Sequence, residues 1–167
     1  LVALALRLDD AVVCMPGTHC KWARLKADRI THFATHMTGE VFGALSQHTI
    51  LARTSVEAPH SPDAFERGVT RAGQSGGLLH HLFGARTLHL MDRLRQEETR
   101  SFLSGLLIGH EIRAAAEGVT RVELVGAPGL TGPYAEALRL QGIEPRMHEP
   151  DLVAAGLHHI AGSLGWN

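Results

Sequence analysis

Residues Met15-Pro16-Gly17-Thr18-His19-Cys20-Lys21-Trp22 put a glycine, a hydroxyl and an ammonium into one short turn. These are residue types that hold phosphate. Glycine lets backbone N–H groups approach an anion closely, Thr18 adds a donor, and Lys21 adds a point charge. The same residues also suit a plain hairpin turn with a surface lysine. A second group, Gly126-Ala127-Pro128-Gly129-Leu130-Thr131-Gly132, stands between an apolar run and a helical pattern. A loop there aims N–H groups and a helix N-terminus at a ligand beyond the carboxyl end of a strand. It matches neither the G-x-G-x-x-G dinucleotide fingerprint nor the P-loop. An ordinary strand-to-helix loop accounts for it equally. Glu40, beside Thr38 and Gly39, is the one carboxylate singled out, and an exposed first-turn glutamate is its plainer role.

Twelve histidines raise the question of metal. His32 and His36 are four apart but fall on a strand end, where that spacing does not converge. His80-His81, His158-His159 and His110-Glu111 fall short of H-E-x-x-H. Cys14 and Cys20 flank a turn and could approach each other, yet zinc needs four ligands, or three and a water. No metal site is expected.

The elements that must position these groups come in two rhythms. Ala11–Met15, Cys20–Leu25 and Arg29–Thr35 read as three short strands joined by tight turns, Pro16-Gly17 and Lys26-Ala27-Asp28. The third alternates, with Ile30, His32 and Ala34 on one face and Thr31, Phe33 and Thr35 on the other. A helix follows from Met37, with Thr38 as cap and Val41, Phe42 and Leu45 as its apolar stripe. Ser61-Pro62-Asp63 starts another, with Ser61 as cap, proline at the favoured first helical position and then a carboxylate. One or two helices fill Leu78–Leu94, and a long one runs from about Glu97 to Glu117, stopped by Gly118. Gly105 and Gly109 share a face of it and allow close packing. Arg121–Val125 reads as a buried strand, Pro133 opens a helix through Leu140, and Ile143–Met147 and Asp151–Leu164 finish as strand and helix. Strand–helix–strand–helix implies parallel pairing, so an α/β fold with a mixed sheet is expected.

Composition narrows the function. The 167 residues suit one domain, and 44% hydrophobic with 20% charged residues excludes disorder, collagen and coiled coil. Sixteen Lys+Arg against 17 Asp+Glu leave a net charge of -1, with no basic surplus for a nucleic-acid backbone. No apolar run approaches the ~20 residues of a membrane span. Two cysteines suggest a reducing, cytoplasmic setting. The opening Leu1-Val2-Ala3-Leu4-Ala5-Leu6 reads as the inside of a helix and lacks the basic start and cleavage site of a signal peptide.

Several motifs then fall in a telling order. Met15 to Trp22, Phe33-x-Thr35-x-Met37-Thr38-Gly39-Glu40, His48, Ser61-x-Asp63-Ala64-Phe65 and Phe102-Leu103-Ser104-Gly105-Leu106-Leu107-Ile108-Gly109 together closely resemble the 2-dehydro-3-deoxygalactonokinases. These are bacterial sugar-acid kinases of galactonate breakdown, and the likeness runs along the whole chain. The resemblance implies the sugar kinase, actin and chaperone-ATPase superfamily, whose two ribonuclease H-like domains close over ATP and substrate. Residues 1–167 would be the C-terminal ribonuclease H-like (actin-like ATPase) domain, enlarged by a helical insertion around 62–95. The implied reaction moves a phosphoryl group from ATP, with Mg, to the 6-hydroxyl of 2-dehydro-3-deoxy-D-galactonate.

By the same resemblance, Gly17 and Thr18 contact the ATP phosphates, with Lys21 beside them. Gly126, Ala127, Gly129 and Thr131 hold adenosine, and Thr38 and Glu40 fall on the sugar-acid side. The sequence lacks the family's N-terminal domain with its Asp-x-Gly-Thr-type phosphate loop. It also lacks the acidic Arg-Gly-Glu-Glu-like segment expected just before Leu1, which supplies the catalytic base. The chain is therefore expected to be the nucleotide-binding half, inactive alone and prone to self-association through an exposed apolar interface. The alternatives are a non-catalytic nucleotide or sugar-acid binding module of the same fold, or a His-rich metal-dependent hydrolase.

Overall fold

The computed structural model describes residue 8 and residues 10–27, 29–149 and 151–165. The helical reading of Leu1–Leu6 and the Asp28 corner of the second turn lie outside the described residues. Strands β1 (Asp10–Met15), β2 (Cys20–Lys26) and β3 (Arg29–His36) form the expected antiparallel meander. Strands β4 (Arg121–Val125) and β5 (Glu144–His148) add in parallel, so the sheet runs β3-β2-β1-β4-β5. The mixed sheet is as read from the strand–helix–strand tail.

Helices α1 (Thr38–His48), α2 (Pro62–Ala72), α3 (Gly77–Leu90), α4 (Gln96–Ala115), α5 (Pro128–Leu140) and α6 (Leu152–Ser163) complete the chain. One layer of core lies where Cys14, Trp22, Val122 and Leu124 of the sheet meet Ile108 and Ile112 of α4 and Tyr134 and Leu138 of α5. A second lies among the helices, where Phe102, Leu103 and Leu106 of α4 meet Ala64 of α2 and Leu82 and Ala85 of α3. On the other sheet face Val13, Leu25 and Val125 carry a smaller cluster, against which Leu152 of α6 packs. The long helix is thus the spine of the domain. Its Phe102–Gly109 stretch is almost wholly buried because it serves the sheet and the helical insertion together.

Four details depart from expectation. Pro128, not Pro133, opens α5, so Gly129, Leu130, Thr131 and Gly132 are helical rather than loop, and Pro133 lies inside the helix. Proline at the first helical position has its φ preset and no N–H to waste. Burial of Thr131, Tyr134 and Ala135 outweighs the poor helix propensity of two glycines. Thr38 does not cap α1; Met37 holds that position without a side-chain bond. Nor does the Ser61 side chain cap α2, although α2 starts at Pro62 as read. Strand β3 is the sheet edge, and both Ile30 and Phe33 are exposed, so of the two alternating faces only Ala34 packs on the core.

Candidate functional site

The β1–β2 turn and the start of α1 are built as one unit. With no side-chain cap, the α1 terminus finds its acceptor in the turn: Glu40 N–H donates to the Thr18 carbonyl at 3.0 Å. Gly39 packs directly on the Gly17 and Thr18 backbone. His19 Nε2 and Glu40 Oε2 stand 2.6 Å apart, a pair in which both side chains are about half exposed. Glu40 therefore braces the turn. Lys21 curls back, its Nζ donating to the His19 carbonyl at 2.7 Å. Its neighbour Trp22 takes the inward face of the strand.

A cleft of about 220 Å³ lies beside this unit. Gly17 and Pro16 border it from the turn, Thr38, Gly39 and Phe42 from α1, and Gly129, Leu130 and Tyr134 from α5, among others. Ser104, Leu107 and Ile108 of α4 line it as well. The two glycine-bearing segments singled out in the sequence, more than a hundred residues apart, thus face one space. Both follow the carboxyl ends of parallel strands, β1 and β4, where ligands bind in open α/β sheets.

The remaining sequence candidates lie around it. Thr18 and Lys21 belong to the turn without lining the cleft, and Gly126 and Ala127 precede α5. The Gly126 N–H donates to the His148 carbonyl of β5 at 3.4 Å. Thr131 is buried and its hydroxyl bonds back to the Ala127 carbonyl at 3.3 Å, which makes it a local brace. A larger cavity, about 770 Å³, opens between α2 and α3 over Phe83, Leu88 and Phe102, with Arg67 and Arg71 on its wall. None of the residues read as phosphate, adenosine or sugar-acid contacts borders it, so size alone does not make it the site.

Sequence reasoning missed the polar group behind the cleft. Glu111 of α4 is 4% exposed. Trp22 Nε1–H donates to its Oε1 at 2.6 Å, and the Tyr134 hydroxyl donates to its Oε2 at 2.7 Å. Burial, then the nearby Glu111 charge, raises the Tyr134 hydroxyl far above the usual phenol range, so it stays a donor. The signal available was a glutamate on a helix face otherwise set by Ile108 and Ile112, a polar residue at a core position. A second carboxylate missed is Glu123 of β4, buried and paired with His148 Nε2.

Two metal readings meet the structure differently. Cys14 and Cys20 do approach, with their sulfurs 3.5 Å apart, and with Glu111 they form a group of potential ligands within 4.8 Å of one another. Both Glu111 oxygens are already taken by donors, and Cys14 is pushed well up by burial and by its Cys20 hydrogen bond. The set is two buried cysteines bonded to each other beside a carboxylate whose two oxygens are both occupied. His81 and His110 meet as a pair, Nδ1 to Nε2, at 3.0 Å. The other His81 nitrogen lies 3.0 Å from the Ser75 carbonyl, which can only accept. In the neutral pair His110 is then the donor to His81 Nδ1.

The fold and the candidate site define the class first: a mixed α/β domain with a cleft past the carboxyl ends of two parallel strands. Comparison with known proteins gives the family. The model of the 2-keto-3-deoxy-galactonokinase family matches residues 2–160, and the chain belongs to that family. It is 40% identical to a probable 2-dehydro-3-deoxygalactonokinase of Rhizobium meliloti, over 97% of this chain and 56% of that protein. It is 34% identical to the 2-dehydro-3-deoxygalactonokinase of Escherichia coli, over 98% of this chain and 58% of the relative. A crystal structure of a putative 2-dehydro-3-deoxygalactonokinase from Sinorhizobium meliloti superposes with a TM-score of 0.89 at 38% identity. That match covers 98% of this chain and 57% of the other. The chain therefore spans a little over half the length of the relatives it matches.

Proposed function

We propose that this chain is the nucleotide-binding half of a kinase that transfers the γ-phosphoryl group of ATP to the 6-hydroxyl of 2-dehydro-3-deoxy-D-galactonate. The observation that carries the reading is the single cleft shared by the Gly17 turn and the Gly129 segment. Membership of the family, whose named relatives are 2-dehydro-3-deoxygalactonokinases, supplies the substrate. Three antiparallel strands followed by two parallel ones suit a ribonuclease H-like domain of the actin-like superfamily, with α2 and α3 as its helical insertion. On this reading the chain is the C-terminal domain of two.

In this assignment the Gly17 and Thr18 backbone and the Thr18 hydroxyl hold the β- and γ-phosphates, with Lys21 adding charge from the same turn. Adenosine lies along Gly126, Ala127 and Gly129, with Thr131 bracing the helix start. Thr38 and Glu40 stand toward the sugar acid. The chain's work is then to hold the triphosphate in line and exclude water, since phosphoryl transfer is mostly positioning and charge stabilisation. The bond from the γ-phosphorus to the β–γ bridging oxygen breaks and ADP leaves with that oxygen, the sugar 6-oxygen bonds to the γ-phosphorus, and the hydroxyl proton passes to a base supplied from outside this chain. Mg²⁺ would neutralise developing phosphate charge, and it prefers carboxylates and water. Among the described residues no carboxylate borders the cleft, so its lining does not fit the ion itself.

No helix of the described residues is long and apolar enough to cross a membrane, which fits the cytoplasmic setting proposed for a metabolic kinase. Self-association would fall on α3, where Leu79, Phe83 and Leu90 are exposed. The test is ATP-dependent phosphorylation of 2-dehydro-3-deoxygalactonate by the complete gene product, beside residues 1–167 alone. Turnover by the complete protein and none by residues 1–167 supports the reading. Nucleotide binding without turnover in the complete protein would return it to a binding module, and full turnover by residues 1–167 would refute the outside base.

A further inference from the structure

We propose that Glu111 is a positioning residue for the nucleotide, fixing two walls of the cleft through one buried carboxylate. The inference rests on the nucleotide-binding reading above. Trp22 follows the phosphate turn by three residues, and Tyr134 borders the cleft beside Gly129 and Leu130. Glu111 accepts one hydrogen bond from each, at 2.6 and 2.7 Å. A single side chain of α4 therefore ties the strand that carries the turn to the helix that would carry adenosine.

Stability alone does not ask for this arrangement. Burying a carboxylate is costly, and apolar residues of the same shape commonly serve a core as well or better. Directional, charge-assisted bonds offer something an apolar contact does not, a fixed orientation for the two donors. Tyr134 is the relevant donor, because it borders the cleft while its hydroxyl is bonded to Glu111. Burial and the Glu111 charge keep that hydroxyl a donor. The neighbouring Cys14–Cys20 pair packs the same layer without taking over either carboxylate oxygen.

Removing the acceptor should therefore loosen ATP binding and leave the chemical step alone. Glu111→Gln keeps the shape; its amide oxygen stays with the Trp22 N–H, which can only donate, so the amide N–H faces Tyr134, whose O–H then loses its acceptor. In the complete gene product it should raise the Kd and KM for ATP about tenfold, the size expected when one buried donor loses its partner. The kcat and the KM for the sugar acid should stay within about twofold, the signature of lost uniform binding to one substrate. Tyr134→Phe keeps the ring and loses the bond, so it should weaken ATP binding in the same way. The double variant should be no worse than Glu111→Gln alone, because the two changes remove one link.

A merely structural role lowers Tm in both variants and leaves ATP affinity where it was. That result, in either variant, overturns the inference, and Tyr134→Phe carries the test if Glu111→Gln does not fold. Wild-type protein that binds no ATP by calorimetry overturns the nucleotide reading and this assignment with it. Wild-type binding with equal binding by the variants overturns this assignment alone.

Discussion

Gly39 stands so close to Gly17 that a β-carbon on Gly39 would lie 2.6 Å from the Gly17 carbonyl oxygen and 2.9 Å from the Thr18 α-carbon. The neighbours are backbone, so they cannot yield as a side-chain tip does. Helix α1 and the β1–β2 turn are held in register by this contact, together with the Glu40 N–H bond to the Thr18 carbonyl.

Gly39→Ala should accordingly displace the turn. Overpacking of this kind costs roughly 1–3 kcal/mol, and the displaced turn should reduce kcat/KM for ATP more than the loss of stability explains. Thermal melts and steady-state kinetics on the same sample check both. Wild-type kinetics in a folded Gly39→Ala protein would detach the turn from the nucleotide.

Gly129 offers the opposite case. A β-carbon there meets nothing within 4 Å, so a bulky residue finds room in the free protein and fills the cleft instead. Gly129→Leu should leave Tm nearly unchanged and raise the KM for ATP at least about tenfold while sparing that for the sugar acid. An unchanged ATP KM would move adenosine elsewhere.

The crossing of α2 and α4 depends on glycine for packing. A β-carbon on Gly105 would collide with the Phe65 carbonyl, and one on Gly68 with the Phe102 carbonyl. Glycine to alanine in a helix ordinarily stabilises by up to about 1 kcal/mol. Gly105→Ala should instead destabilise by about 3 kcal/mol or more, because backbone must part. Gly84→Ala on α3, where a β-carbon meets nothing, is the control and should be neutral or stabilising. Denaturant titration of both variants decides the point.

His110 gives a pH dependence. Burial first, then the nearby His81 and Arg113 charges, lowers its pKa below the ordinary imidazole value of 6.5. Below pH 6.5 the unfolded chain takes up a proton that the native His110 resists, so stability falls as pH drops from there toward the folded value. Tm should therefore decline between pH 7 and 5. The decline should be shallower in His110→Gln, and an identical profile would remove His110 from the account.

Much of this was legible along the chain, for physical reasons. Strands β1, β2 and β4 are short apolar runs closed by Pro16-Gly17, Lys26-Ala27 and Gly126, so local pattern and turn chemistry agree. Helix α5 was misplaced because Gly129, Gly132 and Pro133 all argue against helix locally. Packing of Tyr134 and Leu138 on the sheet overrides them. The site divides the same way. Gly17 and Gly129 announce themselves by residue type, whereas Glu111 acquires its meaning from Trp22, 89 residues away, and Tyr134, 23 residues away. No local periodicity encodes that meeting.

The most direct measurement is a crystal structure of the complete gene product with a non-hydrolysable ATP analogue. The account predicts phosphates against the Gly17 and Thr18 N–H groups and adenosine along Gly129 and Tyr134, within the cleft between the β1–β2 turn and α5. Nucleotide seated instead in the larger groove between α2 and α3, against Arg67 and Arg71 with the Gly17 turn bare, would contradict it.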